Sequence, residues 1–406
     1  MNSMNRKSYP RRLYMELVFI GFAVVMGMGL ATSFLPLLAR DIDDTGVLVG
    51  FVVSAWFLSR LFVELPAGII SDRIGRRKLL ITGVGLSVAG AFLCSQAKII
   101  YVLILGRAIW GLGAGLFFMN VTALIIDIFE SKARGNALGI FNGLEFIGSF
   151  IGAPLGAFLA GFVSYSNVFY FTVVLILSSF TVALTSKGLR AVKANPGMKA
   201  HLSIKQTFSS LRNWGILIVC VTTFFRMFVM QGIFATVFEL YLNNNLSFPV
   251  AYIGFILSLR TGGQIIATMS SSMLAEKFGR KRITMAGFLS GAVCFIAFTI
   301  VSSLEMLLAL GFITGIGEGL AFTSLIVMLS EIAHQSIRGG ALGLYRTFMD
   351  LGGFLGPMVF MFIYNSLNAS FSFYTALAIN LFNAVLLIFL RIKPSEKESE
   401  ATPTKA

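Results

Sequence analysis

The stretch Gly68-Ile69-Ile70-Ser71-Asp72-Arg73-Ile74-Gly75-Arg76-Arg77-Lys78 stands where one long apolar segment ends and the next begins. An acid, a turn glycine and four bases share a very short connection. Basic residues resist translocation, so such a connection marks the cytoplasmic side of a bilayer. Gly75 can take the positive φ of a sharp turn. A near-copy, Ala275-Glu276-Lys277-Phe278-Gly279-Arg280-Lys281-Arg282, follows about half a chain later.

The rest of the chain fits this reading. Of its 406 residues, 56% are hydrophobic and 12% charged, and the mean hydropathy is +0.85. A soluble protein carries roughly 25% charged residues. Apolar runs long enough to cross a bilayer recur from end to end, and they are continuous rather than alternating, which argues against a β-barrel. The expectation is an all-α polytopic protein of the cell membrane, with twelve transmembrane helices and the lipid bilayer as its surroundings. The net charge of +14 raises the question of nucleic acid. Most Lys and Arg, however, fall in loops and tails of one side. That placement sets both termini in the cytoplasm and leaves no basic domain for a nucleic-acid partner. Cys94, Cys220 and Cys294 all lie in apolar segments, without disulfide or zinc spacing. Leu13–Ala39 is too long for a signal-peptide core and is expected to be the first membrane helix.

Helices 1 to 6 are expected at about 13–39, 47–70, 79–97, 100–128, 136–163 and 167–186. Helices 7 to 12 follow at about 213–242, 248–272, 283–302, 304–332, 340–366 and 370–391. Residues 1–186 then form an N-terminal six-helix bundle, 187–212 a cytoplasmic linker, 213–391 a C-terminal six-helix bundle, and 392–406 a disordered tail. The halves read as a duplication at one fixed offset. Gly111 and Gly113 fall on Gly315 and Gly317, Asp127 on Glu331, Arg134 on Arg338, and Gly148 and Gly152 on Gly352 and Gly356. Parallel repeats of six helices place a substrate site near the midplane between the bundles.

At these residues the chain resembles the major facilitator superfamily, along all twelve helices. The loop motif Gly-x-x-x-Asp-Arg-x-Gly-Arg-Arg/Lys is met by Gly68, Asp72, Arg73, Gly75, Arg76 and Arg77. Its copy retains Glu276, Gly279 and Arg280. Arg107, Gly111 and Gly113 match the helix 4 motif. The ends of helices 1 and 2, Phe34-Leu35-Pro36 and Leu65-Pro66-Ala67-Gly68, are similar to the drug/proton antiporter branch. The helix 5 motif of that branch is only partly met: aligned on Pro154, its glycine positions hold Ser149, Ala153, Ala157 and Phe158. The resemblance implies that Asp72 docks on the N-terminus of helix 11 near Gly340, and Glu276 on helix 5 near Gly135. The partial positive charge of a helix start favours a carboxylate there. It also implies that helices 1, 4, 7 and 10 line a central cavity.

Ionisable residues inside apolar segments are costly and point to pairing or function. Arg60 with Glu64, and Arg346 with Asp350, are four apart and read as local pairs. Glu16 and Glu239 lie near helix ends and are expected to snorkel. Arg107, Arg226, Arg260 and Glu318 either meet substrate and relay charge or pair between helices. Both histidines, His201 and His334, fall in loops, so a proton relay would use Glu145, Glu318 or Asp350. Phe34, Trp110 and Phe228 are candidate walls of an apolar cavity. No metal cluster, catalytic triad or nucleotide motif is legible, so neither an enzyme nor a cofactor is expected, and a proton gradient would supply the energy. The expected function is alternating-access, proton-coupled efflux of small amphipathic or cationic compounds by a monomer. Uptake of an organic anion, gripped by Arg107, Arg226 and Arg260, is one alternative. A non-transporting receptor or scaffold is another.

Overall fold

The computed structural model describes the backbone of residues 5–43, 45–129, 131–191, 212–333 and 338–390. The side chains at 5–10, 64–73, 131–132, 135 and 338–339 lie outside the description. The loop-motif positions Gly68, Asp72 and Arg73, most of the expected linker and the tail therefore fall outside the described residues.

The described chain is helical throughout. The first half contains α1 (Asn5–Thr32), α2 (Leu35–Ile42), α3 (Val49–Ile74), α4 (Arg76–Ser95), α5 (Ile100–Ile128), α6 (Ser131–Ala160), α7 (Tyr165–Thr185) and the short α8 (Lys187–Ala191). The second contains α9 (Trp214–Val229), α10 (Val250–Phe278), α11 (Arg280–Phe298), α12 (Leu304–Ile332), α13 (Arg338–Ser366) and α14 (Ala369–Ile388). Eleven helical segments are long and apolar enough to cross a membrane, and α3 adds the apolar stretch Val49–Val63.

Two spans depart from the expectation. The first is not one helix over 13–39. It breaks at Ser33–Phe34, and α2 begins with Pro36 in its first turn. A proline there lacks the N–H that would continue the ladder of α1, and its fixed φ suits a new helix start. The seventh span is continuous but not uniformly α-helical. Beyond α9 it widens to π-helix over Met230–Val237 and again over Tyr241–Asn245, with the α-turn Phe238–Leu240 between.

Local chemistry fixes the helix ends. Gly75 and Gly279 sit at φ 98° and 85°, each with ψ 136°, and turn α3 into α4 and α10 into α11. A side chain is strained in that region. The side-chain oxygens of Ser164, Asn213 and Asn368 accept from backbone amides to cap α7, α9 and α14. We call the end with the Gly75 and Gly279 turns the basic end, and the other the far end.

Within the first half α4 and α3 pack on α5, and α1 on α6. Within the second, α10 and α11 pack on α12, and α9 on α13. The halves meet through α3 against α13 and α6 against α10. One apolar core draws on both halves, joining Phe34 and Phe57 to Phe228, Phe238 and Phe360. A separate cluster, with Ile216, Leu325, Met328 and Leu344, belongs to the second half alone. In the shared core, residues from the two halves meet toward the far end, as Phe57 does under Gly353. Close contacts agree. The Ser54 hydroxyl donates to the Phe354 carbonyl at 2.5 Å, and the Asn365 amide donates to the Gly46 carbonyl at 3.1 Å. Gly139, Gly143 and Gly343, nearer the basic end, face open space. Among the described residues, the contacts between the halves gather from mid-span to the far end.

Candidate functional site

At the basic end two ion pairs repeat across the halves. Arg76, just after the Gly75 turn, pairs with Asp127 at the end of α5. Arg280, just after the Gly279 turn, pairs with Glu331 at the end of α12 at 2.8 Å. Arg76 also donates to the Ala123 carbonyl at 2.7 Å. Both pairs are partly exposed, so each fixes orientation more than it adds stability. Arg77 follows Arg76 at the start of α4, with its Nε enclosed and unbonded. Glu276 is exposed at the end of α10, and its expected dock near Gly135 lies outside the described side chains.

Deeper in, charges gather on the second half. Arg226 of α9 and Glu318 of α12 form an enclosed ion pair, with 2% and 13% of their side chains exposed. The Tyr345 hydroxyl of α13 lies beside Arg226. Arg260 of α10 is buried and close enough to Arg226 to feel its charge. Its guanidinium lies 4.1 Å from the centroid of the Phe234 ring, a cation–π contact. Among the described residues it has no carboxylate partner. These three charges, with Thr314 and Asn380, line a cavity of about 30 Å³ inside the second half, room for about one water. Two guanidiniums face one carboxylate there, so the site carries an excess positive charge toward any polar group entering it.

On the seam between halves, Arg60 of α3 and Asp350 of α13 are 3.4 Å apart, with Asp350 fully enclosed. The Arg60 guanidinium also lies over the Trp56 ring at 4.6 Å. The expected pairing of Arg346 with Asp350 within one helix is not formed. Asp350 turns toward the neighbouring bundle instead, while Arg346 is partly exposed and can be hydrated. The side chain of Glu64 is outside the described residues. Glu145 of α6 reaches toward α1 beside Gly21, with an enclosed oxygen that has no hydrogen-bond partner. Arg107 is buried on α5, with its guanidinium 5.4 Å from the Trp110 ring. The structure thus brings Arg226, Arg260 and Glu318 together. Arg107, Glu145 and Asp350 stand apart from them.

Several sequence expectations are corrected. Glu239 does not snorkel: it is fully buried, because α2 covers the helix end on which it sits. Phe34 and Trp110 are fully packed rather than lining a cavity, with Phe34 stacked on Tyr165 at 5.1 Å. The sequence reading also missed Asn380, whose signal was an amide in the middle of an apolar run. At the far-end loop, Asp43 accepts from the Thr45 hydroxyl at 2.6 Å and the Leu48 amide at 3.2 Å. These bonds, the hydroxyl first, hold its carboxyl below the usual range.

Two helical bundles joined at the far end, with ionisable side chains enclosed between and within them, have the architecture of a membrane transporter. The sequence profile of the Major Facilitator Superfamily matches residues 17–236 and 219–406, and the chain belongs to that superfamily. It is a multi-pass transporter of the plasma membrane, not an enzyme. It is 26% identical over 379 residues to Multidrug resistance protein 1 of Bacillus subtilis, covering 92% of this chain and 94% of that one. It is 24% identical over 376 residues to Quinolone resistance protein NorA of Staphylococcus aureus, covering 92% and 95%. Among solved structures, the nucleoside transporter NupG aligns with a TM-score of 0.76 at 15% identity, covering 93% of this chain and 99% of that one. The human organic anion transporter MFSD10 aligns with a TM-score of 0.69 at 16% identity, covering 93% and 99%.

Proposed function

We propose that this transporter exports small amphipathic or cationic compounds in exchange for protons, by alternating access. The basic end is the cytoplasmic one in this account, a placement that the bias of Lys and Arg supports. The observation that carries the reading is the set of enclosed ionisable groups along the bundles. Glu145 and Asp350 lie at or near the seam and Glu318 opens on the inner cavity, each a carboxyl able to change charge as water reaches it. The relatives named for multidrug and quinolone resistance, aligned over nearly the whole chain, support export and a broad substrate range. In this account the conformation is open to the cytoplasm, residues 1–186 and 213–391 move as bundles, and the monomer is the working unit. Asp72 and Glu276 dock when the basic end closes.

A second reading is favoured by one specific observation. Among the described residues Arg260 has no counter-carboxylate while Arg226 already has Glu318, so an anionic group on the substrate would be the missing partner. Proteoliposomes with an imposed pH gradient separate these readings. A fluorescent amphipathic cation should accumulate against its gradient, and collapsing the pH gradient should stop it. Accumulation that ignores the pH gradient overturns the proton coupling. Transport of organic anions with exclusion of cations overturns the first reading in favour of the second.

A further inference from the structure

Glu239 lies on the turn Phe238–Leu240, between the two π-helical stretches of the seventh span. Its side chain is fully enclosed, and neither carboxyl oxygen has a hydrogen-bond partner. The hydroxyls nearest in sequence are engaged elsewhere: Thr236 donates to the Gly232 carbonyl, and Tyr241 to that of Phe298 at 3.0 Å. Among the described residues no charged side chain acts on this carboxyl. The titratable group that feels it is the Tyr165 phenol of α7, which also feels Asp41 of α2. Arg40, on α2 as well, turns toward Gly46 instead. The arm α2, made by the break in the first span, packs on the Glu239 turn, and Phe34 beside it stacks on Tyr165. Both halves therefore wall Glu239 in where the far end is shut.

An ionised carboxylate cannot be held in such a place without a donor or counter-ion. The surrounding turns are π-helical, a rare geometry in soluble and membrane helices that concentrates at functional sites. We propose that Glu239 is a proton-binding latch of the transport cycle: its carboxylate takes a proton from far-end water while that end is open, is sealed in as the acid when the end closes, and returns the proton to the same water on reopening. The inference goes beyond the proton-linked reading above: it makes closure of the far end itself depend on pH. Closure that traps one proton is favoured by acid. The closed-to-open ratio then falls by up to about tenfold per pH unit as pH rises.

Phe162 and Ile300 are 74% and 76% exposed at the far end, on opposite halves, and Cys94, Cys220 and Cys294 are buried. Spin labels on Phe162→Cys and Ile300→Cys in the purified full chain read the far end by dipolar distance measurement. The population should move from short to long distances as pH rises. Glu239→Gln should hold the short distance at every pH. Glu239→Asp keeps an ionisable group in a changed position and should displace the transition along the pH axis. A wild-type slope retained in Glu239→Gln overturns the proposal, as does an undisplaced transition in Glu239→Asp or a wild-type distance that ignores pH. Efflux independent of a pH gradient in the wild-type protein would sink the coupled-efflux reading and leave this pH-driven closure standing. Coupled efflux intact in Glu239→Gln would do the reverse.

Discussion

The two halves agree in their scaffold and differ in their chemistry. Gly75 and Gly279 make the same turn, and Arg76–Asp127 and Arg280–Glu331 make the same ion pair. Gly83 meets Gly113 as Gly287 meets Gly317, where backbones approach too closely for a side chain. The correspondence slips only in the first helix of each half: Gly148 packs on Phe22, but Gly352 packs on Phe224, two residues out of step. By that equivalence, Val24 and Ala114 stand where the second half has Arg226 and Glu318. Trp56 stands where it has Arg260, since Gly111 and Gly315 pack on these two residues in the same way. A duplicated framework has therefore been kept, and the trio Arg226, Arg260 and Glu318 built into one half of it. The difference teaches that helix packing and turn geometry set the fold, while ionisable groups were free to diverge.

The largest effect should come from the charged pair. Arg226→Met leaves Glu318 enclosed without its counter-ion, at a cost of about 3–5 kcal/mol. Adding Glu318→Met should restore most of that in detergent melting while transport stays lost. Val24→Ala, at the equivalent place in the first half, should cost no more than about 1.5 kcal/mol. Equal losses at both places would break the comparison.

Next come the glycine contacts. An ideal Cβ on Gly83 would sit 2.7 Å from the Gly113 carbonyl oxygen, and one on Gly287 2.5 Å from that of Gly317. Gly83→Leu and Gly287→Leu should each destabilise by at least about 1–3 kcal/mol. Their melting shifts should match, and a large gap between them would show that the scaffold is less symmetric than its contacts. The smallest effect belongs to the loop pairs. Arg76→Ala and Arg280→Ala should each cost under about 1 kcal/mol, because both pairs are open to water. Melting of the two variants side by side checks that they are alike.

The sequence made the spans legible because length and apolarity alone identify them, and made the repeat legible because glycine contacts and basic turns tolerate little change. Local rules failed where tertiary contacts overrode them. Spacing of four placed Arg346 beside Asp350, but the carboxyl of Asp350 faces α3 across the seam and takes Arg60. Glu239 read as a helix-end residue with access to water. The end is covered only because Pro36 breaks the first span and lays α2 over it. That break was marked by the proline itself, whereas nothing in Met230–Val237 announces wide turns. The Arg226–Glu318 pair was visible as two charges at similar depth, but which partner each would choose needed the packing of α9 on α12.

At the far-end seam a small residue stands at each closest approach, Gly50 against Pro357, Ser54 against Phe354 and Gly254 against Ala157, beside the aromatic core that both halves share. Small side chains let the two backbones touch closely while covering little oily surface apiece. The free energy lost on separating such surfaces scales with the area uncovered. The joint behaves like a zip with an aromatic lining: backbones close enough to exclude water when shut, and rings that must part before it opens.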